Sequence, residues 1–88
     1  MATKPPSAVK EFPAESLEKI AYDSVSTIPT VEPNDRNRLA YHIWRWLSTR
    51  AGTLEEAVGE SGARLNISKP EALKIIADSL ATRGLPAS

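Results

Sequence analysis

The sequence predicts an all-α fold, a small domain of four helices arranged around a central helix that contains both tryptophans. Two observations predict it. Apolar residues between Asp35 and Ala51 recur at the spacing of a helix, at about 100° per residue. Two later segments begin with a hydroxyl residue followed three positions on by glutamate, which is the pattern of a capped helix start. At 88 residues the chain is long enough for one domain. We expect a tail over residues 1–11, disordered because it is small and polar, and a single helical domain over residues 12–88.

The central helix is predicted to run from Asp35 to Ala51. A turn at Pro33-Asn34-Asp35 supplies its N-cap, and Ala51-Gly52 ends it, with Gly52 in a left-handed cap conformation. An apolar arc of roughly 160° predicts that this helix is buried on two sides and packs against the first helix and the last two. The arc consists of Leu39, Ala40, Ile43, Trp44, Trp46, Leu47 and Ala51. Both indoles are therefore expected in the core.

The first helix is predicted to open at Phe12-Pro13, since proline suits the first helical turn. Its inward face is predicted to hold Leu17, Ile20, Ala21, Ser24 and Ile28, with Lys19 and Asp23 opposite at i, i+4 spacing. Residues 25–31 are rich in β-branched side chains and contain Pro29, so they form either a short extended segment or a connector. We interpret them as a connector.

The third helix is predicted to start at Thr53 with a capping box to Glu56 and to end near Ser61-Gly62. Its inward residues are Leu54, Ala57 and Val58, with Leu65 as a further candidate. The fourth is predicted to start at Ser68-Lys69-Pro70-Glu71 and to run to Arg83. Gly84 and Leu85 then form a Schellman motif. Its inward residues are Ala72, Leu73, Ile76, Ala77 and Leu80.

The composition narrows the functional classes. The chain has no cysteine, which excludes disulfides, thiolate metal sites and cysteine nucleophiles, and fits a reducing compartment. It shows neither the apolar segment of a signal peptide nor an apolar run long enough to cross a membrane. We therefore expect a cytoplasmic protein without membrane contact. Because the core of so short a chain is small, a homodimer would be an easy way to bury more surface.

Charge is balanced overall but distributed unevenly. Residues 35–50 hold four arginines and one aspartate, a net charge of +3, while residues 51–63 hold three glutamates, a net charge of −3. Residues 1–34 carry −2 and residues 64–88 carry +2. Nucleic-acid-binding domains are usually strongly basic, so this balance favours a protein partner over DNA.

The outward face of the central helix is the first candidate site. Cationic and aromatic side chains share this face, with Thr49 beside them: Arg38, Tyr41, His42 and Arg45. They could hold an acidic partner or phosphates, or simply form a solvated face whose arginine stems cover apolar neighbours. Nothing near His42 in the sequence completes a metal or nucleophile pair. On the fourth helix, Ile75 lies at the edge of the apolar arc and would mark a partner contact if exposed.

An enzymatic function is not expected, and the sequence indicates no metal or cofactor. Glu55, Glu56 and Glu60 have no histidine or aspartate at ligand spacing, and a position at a helix start explains them through the helix dipole. The glycines of Gly59-Glu60-Ser61-Gly62 lack the lysine and hydroxyl residue of a phosphate-binding loop.

The last third of the chain resembles the helix-turn-helix core of MarR-like winged-helix regulators. The resemblance covers residues 53–85: Thr53 to Val58, a glycine-bearing link, Ile67 to Pro70, and an amphipathic helix ending Arg83-Gly84-Leu85. It implies that the last helix enters the DNA major groove, with Ser68, Lys69, Glu71 and Lys74 facing DNA and Arg64 reaching phosphate. The link and the last helix are longer than in that family. We expect its β-hairpin wing to be absent, since three residues follow Leu85.

Two functions follow from these patterns. The first is a small, non-enzymatic helical adaptor that acts through protein–protein contacts. Zero net charge, mixed charges on the fourth helix and the absent wing favour it. The alternative is a wingless helix-turn-helix transcriptional regulator that binds DNA, favoured by the C-terminal pattern and by the arginines of the central helix.

Overall fold

The computed structural model describes residues 16–29 and 31–85, which form four α-helices and no strand. In chain order these are α1 (Leu17–Ser26), α2 (Pro33–Thr49), α3 (Leu54–Ser61) and α4 (Lys69–Thr82). The predicted all-α class is confirmed. The predicted tail and the segment Phe12-Pro13 lie outside the described residues. None of the helices in the described ranges has the length and apolar character needed to cross a membrane.

Helix α1 begins later than predicted. Ser16 has extended backbone, and its hydroxyl accepts a hydrogen bond from Lys19 N at 3.1 Å. This side-chain cap makes Leu17 the first residue of α1. The predicted pair of Lys19 and Asp23 is present, with 3.0 Å between Nζ and Oδ1. Helix α1 ends at Ser26, so Val25 and Ser26 belong to the helix and not to the predicted connector of residues 25–31, and the predicted inward residue Ile28 lies beyond the helix. Residues 27–29 form a turn, and none of the described residues of the segment is in a strand.

Helix α2 begins and ends two residues earlier than predicted. Glu32 is its N-cap without a side-chain cap bond, Pro33 is its first residue, and Asp35 lies inside the first turn instead of capping it. At the other end Arg50 is the cap, in a left-handed conformation with φ 54°. Gly52 has the predicted left-handed conformation, with φ 76°, but lies beyond the cap. Ala51 therefore lies outside the helix and is exposed, which contradicts its assignment to the apolar arc.

The two indoles of α2 differ in burial. Trp46 is 5% exposed and belongs to the core with Leu39, Ile43 and Leu47. Trp44 is half-buried, packed against that core on one side. The prediction that both rings are sequestered from water is therefore confirmed for Trp46 but not for Trp44, whose ring is partly exposed.

Helices α3 and α4 have the predicted ends to within a residue. Thr53 and Glu56 form a complete capping box, and Gly62 ends α3 in a left-handed conformation. Ser68 caps α4 by accepting from Glu71 N at 3.3 Å. Leu85 N donates to Leu80 O at 2.9 Å and Gly84 N to Ala81 O at 3.0 Å. These two bonds are those of the predicted Schellman motif.

The central helix was predicted to pack against the first helix and the last two, and this is wrong for the last helix. Helix α2 packs against α1 and α3, whereas α4 packs against α1 and α3 and has no Cα within 8 Å of a Cα of α2. The reason is the seven-residue link from Gly62 to Ser68, which is long enough to carry α4 across to α1. An ion pair of 3.9 Å between Arg83 and Asp23 lies at that contact. The helices therefore form a closed ring around the core, and one side of α2 remains open.

Candidate functional site

The open side of α2 carries the predicted cationic and aromatic face. Arg38, Tyr41 and Arg45 are exposed and His42 is half-buried. Tyr41 is 51% exposed, so about half of a large aromatic side chain faces solvent. These residues recur at three- and four-residue spacing, so a regular helix places them on one stripe without further support.

The aromatic rings of this stripe contact one another. The Tyr41 ring lies edge-on to His42 with 5.5 Å between ring centroids, and tilted against Trp44 at 5.7 Å. The Arg45 guanidinium carbon lies 5.9 Å from the Tyr41 ring centre, in the range of a cation–π contact. Tyr41 is thus held between neighbours while half of its surface faces solvent.

Trp46 fixes the turn that joins α2 to α3. Its indole Nε1 donates to Gly52 O at 3.1 Å, and the Arg50 guanidinium carbon covers its ring at 4.6 Å. The turn of residues 50–53 is therefore tied to the core, and α3 returns alongside α2. This arrangement sets the position of the α3 side chains relative to the α2 stripe.

An open cleft of about 340 Å³ lies between α2 and α3. Three lining residues come from the outward face of α2, two glutamates come from α3, and the others form the floor and the turn. The complete lining is His42, Arg45, Trp46, Thr49, Ala51, Gly52, Glu56, Ala57 and Glu60. In the sequence the basic face and the glutamates are separate features, because they lie on different predicted helices. The four-residue turn was the signal that could have joined them, because short connections make neighbouring antiparallel helices.

The charged groups of the cleft are incompletely satisfied within the described part of the chain. Arg45 and Glu60 form no ion pair there within 4 Å. One oxygen of Glu56 accepts from Thr53 N at 2.8 Å in the capping box. The cleft therefore has a cationic α2 wall and an acidic α3 wall that do not neutralise each other directly.

The helix dipole was predicted to explain Glu55, Glu56 and Glu60, but the position of Glu60 does not fit that explanation. Glu55 and Glu56 lie in the first turn of α3, where the helix dipole favours them, but Glu60 lies in its last turn. A negative charge is disfavoured at that end of a helix. The dipole therefore explains two of the three glutamates and leaves Glu60 without a local stabilising cause. Among the described residues, no group of three acidic, histidine or cysteine side chains could hold a metal ion.

Ile75 is not part of this surface. It is half-buried against the core on α4, the helix that α2 does not approach. The prediction that Ile75 marks a partner contact depended on its being exposed, and it is only partly exposed. Its use by a partner stays a prediction.

The residues expected to face DNA lie around the start of α4, and all are exposed: Arg64, Ser68, Lys69, Glu71 and Lys74. The Ser68 hydroxyl is occupied as the helix cap, and Lys74 Nζ lies 3.4 Å from Asp78. The Lys69 side chain extends over α3, and its Nζ would lie 3.1 Å from a Cβ added at Gly59. Of these three cations, Lys74 is in an exposed i, i+4 ion pair, and Arg64 and Lys69 form no ion pair within 4 Å in the described ranges.

Comparison of the chain with protein-family models, with curated proteins and with solved structures gives no significant match.

Proposed function

We propose that this protein is a small, non-enzymatic helical adaptor that acts by protein–protein contact, through the α2 stripe of Arg38, Tyr41, His42 and Arg45. The proposal includes the cytoplasmic location that the sequence predicts. The half-exposed Tyr41 ring, held between Trp44 and Arg45, is the observation that carries it. A supported ring of this kind loses little side-chain entropy when a partner covers it.

Composition supports the same surface. Tyrosine, tryptophan and arginine are the residues most enriched among those that dominate binding energy at protein interfaces. Arg38 and Arg45 are exposed on either side of Tyr41 and form no ion pair within 4 Å in the described ranges. The surface therefore suits a partner with carboxylates flanking an apolar centre.

A pull-down with the full chain tests the proposal. The double variant Arg38→Ala/Arg45→Ala should lose the partners that the wild-type chain retains, because two flanking charges and the support of Tyr41 are removed together. Lys69→Ala/Lys74→Ala is the matched control, with two cations removed from α4 instead, and it should retain them. Retention of every partner by the α2 variant would contradict the proposal.

The alternative is a helix-turn-helix protein that binds DNA without a wing. The exposure of Arg64, Lys69 and Lys74 around the start of α4 favours it. Binding led by phosphate contacts must weaken steeply as salt rises, because counterions are released from DNA. A duplex DNA shift measured over a salt series, with Lys69→Glu and Lys74→Glu as variants, separates the two functions. DNA affinity that both variants leave unchanged would exclude the regulator.

A further inference from the structure

We propose that the partner of the α2 stripe is a second copy of this chain, which docks across the cleft between α2 and α3 in a two-fold symmetric dimer. This inference rests on the proposed function and adds the identity of the partner. It follows from the charges of the cleft, from the position of Glu60 and from the exposed Tyr41.

The surface around the cleft is complementary to itself. The α2 wall presents Arg45, with Arg38 further along the helix, and the α3 wall presents Glu56 and Glu60. A two-fold axis running along the cleft would place the α2 wall of each copy against the α3 wall of the other. Each Arg45 would then meet the glutamates of the other copy, twice in one dimer. Such an arrangement, in which residue i contacts j and j contacts i, defines a symmetric interface.

The position of Glu60 supports this arrangement independently. It is exposed in the last turn of α3, where the helix dipole disfavours it, and it forms no ion pair within 4 Å in the described ranges. An arginine arriving from another molecule would compensate both unfavourable conditions. Arg45 of the same chain lines the same cleft but makes no such pair.

Tyr41 supplies apolar area beside these charges. Its exposed half adjoins the cleft through its contacts with His42 and Arg45, both of which line it. A dimer that covers the stripe would therefore bury an aromatic ring with a polar rim around it, which is the usual anatomy of a protein interface.

Sedimentation velocity of the full chain over a concentration series tests the inference. Wild type should form a dimer that weakens on going from low to high salt, since these pairs are partly exposed to solvent. Arg45→Glu alone and Glu60→Arg alone should each raise the dimer dissociation constant at least about tenfold, because like charges then face each other. Glu71→Arg on α4 is the matched control, and its dissociation constant should equal that of wild type.

Mixing the two single variants gives the decisive measurement. A heterodimer of Arg45→Glu with Glu60→Arg restores an opposite-charge pair at both contacts of a symmetric interface, so the mixture should dimerise at least about tenfold more tightly than either variant alone. Circular dichroism must show wild-type helicity for each variant, and a variant that fails this check is replaced by the charge-reversing Arg45→Asp or Glu60→Lys. A wild-type chain that stays monomeric at low salt, or a mixture that stays monomeric, would overturn the inference. In that case, loss of a different partner in the Arg38→Ala/Arg45→Ala pull-down would still support the adaptor.

Discussion

Trp44 and Trp46 show how two residues of one type take different roles two positions apart. A separation of two residues turns the side chain by about 200° around a helix, so the two indoles lie at opposite edges of the apolar arc. The buried residues Leu39 and Ile43 lie on the Trp46 side of that arc, so Trp46 is buried, and its indole N–H also donates to Gly52 O. Trp44 lies at the margin, where it packs on the core and supports Tyr41.

Trp46→Ala should therefore cost about 3–5 kcal/mol of unfolding free energy, the usual loss for a buried tryptophan. Trp44→Ala should cost clearly less, because part of that ring already faces water. Urea unfolding followed by circular dichroism measures both. A larger loss for Trp44→Ala than for Trp46→Ala would contradict the burial described here. Trp46→Phe, which keeps a ring but removes the N–H donor, should fall between wild type and Trp46→Ala.

The boundaries of α3 and α4 were predicted from local hydrogen-bonding patterns, whereas the Ser16 cap that begins α1 was missed. The capping box of Thr53 and the Schellman motif at Gly84 involve residues within five positions of one another, so the sequence contains all their partners. Helix α2 begins instead at a glutamate without a side-chain cap, and Arg50 takes a left-handed conformation that is more usual for glycine. Pro33 at the first helical position was the local signal for the start of α2, whereas its end at Arg50 has no such signal.

The α2–α3 turn gives a prediction at the scale of the element. Gly52 has φ 76°, and a Cβ there would stand 2.5 Å from Glu56 Oε1, the oxygen that closes the capping box. Gly52→Ala should lower the unfolding free energy by more than Gly84→Ala, which has a similar φ of 79° and open space around it. The left-handed backbone alone accounts for roughly 1 kcal/mol in both variants. Equal losses in thermal unfolding would show that Glu56 moves aside at no cost.

At the scale of the whole molecule, the four helices share one contiguous core. It includes Ala21 of α1, Ile43 of α2, Val58 of α3 and Ile76 of α4. Helix α4 packs against α1 and α3 and not directly against α2, but the buried residues of all four helices form one cluster. A small domain built in this way should unfold as a single unit.

Urea unfolding measured by two probes checks this expectation. Tryptophan fluorescence reports on α2, where both indoles lie, and far-ultraviolet circular dichroism reports on all helices. The two curves should coincide in midpoint and slope. If α4 left the core early, the dichroism curve would begin to fall before the fluorescence curve.

The sequence by itself determined the four helices, the ends of α3 and α4 and the outward stripe of α2, because these depend on hydrogen bonds and periodicity within a few residues. Only the tertiary structure decided that α4 packs against α1 instead of α2, that Trp46 rather than Trp44 is buried, and that Arg45 shares a cleft with Glu56 and Glu60. Those outcomes depend on which faces of distant helices bury each other, and that choice is made by the whole core at once.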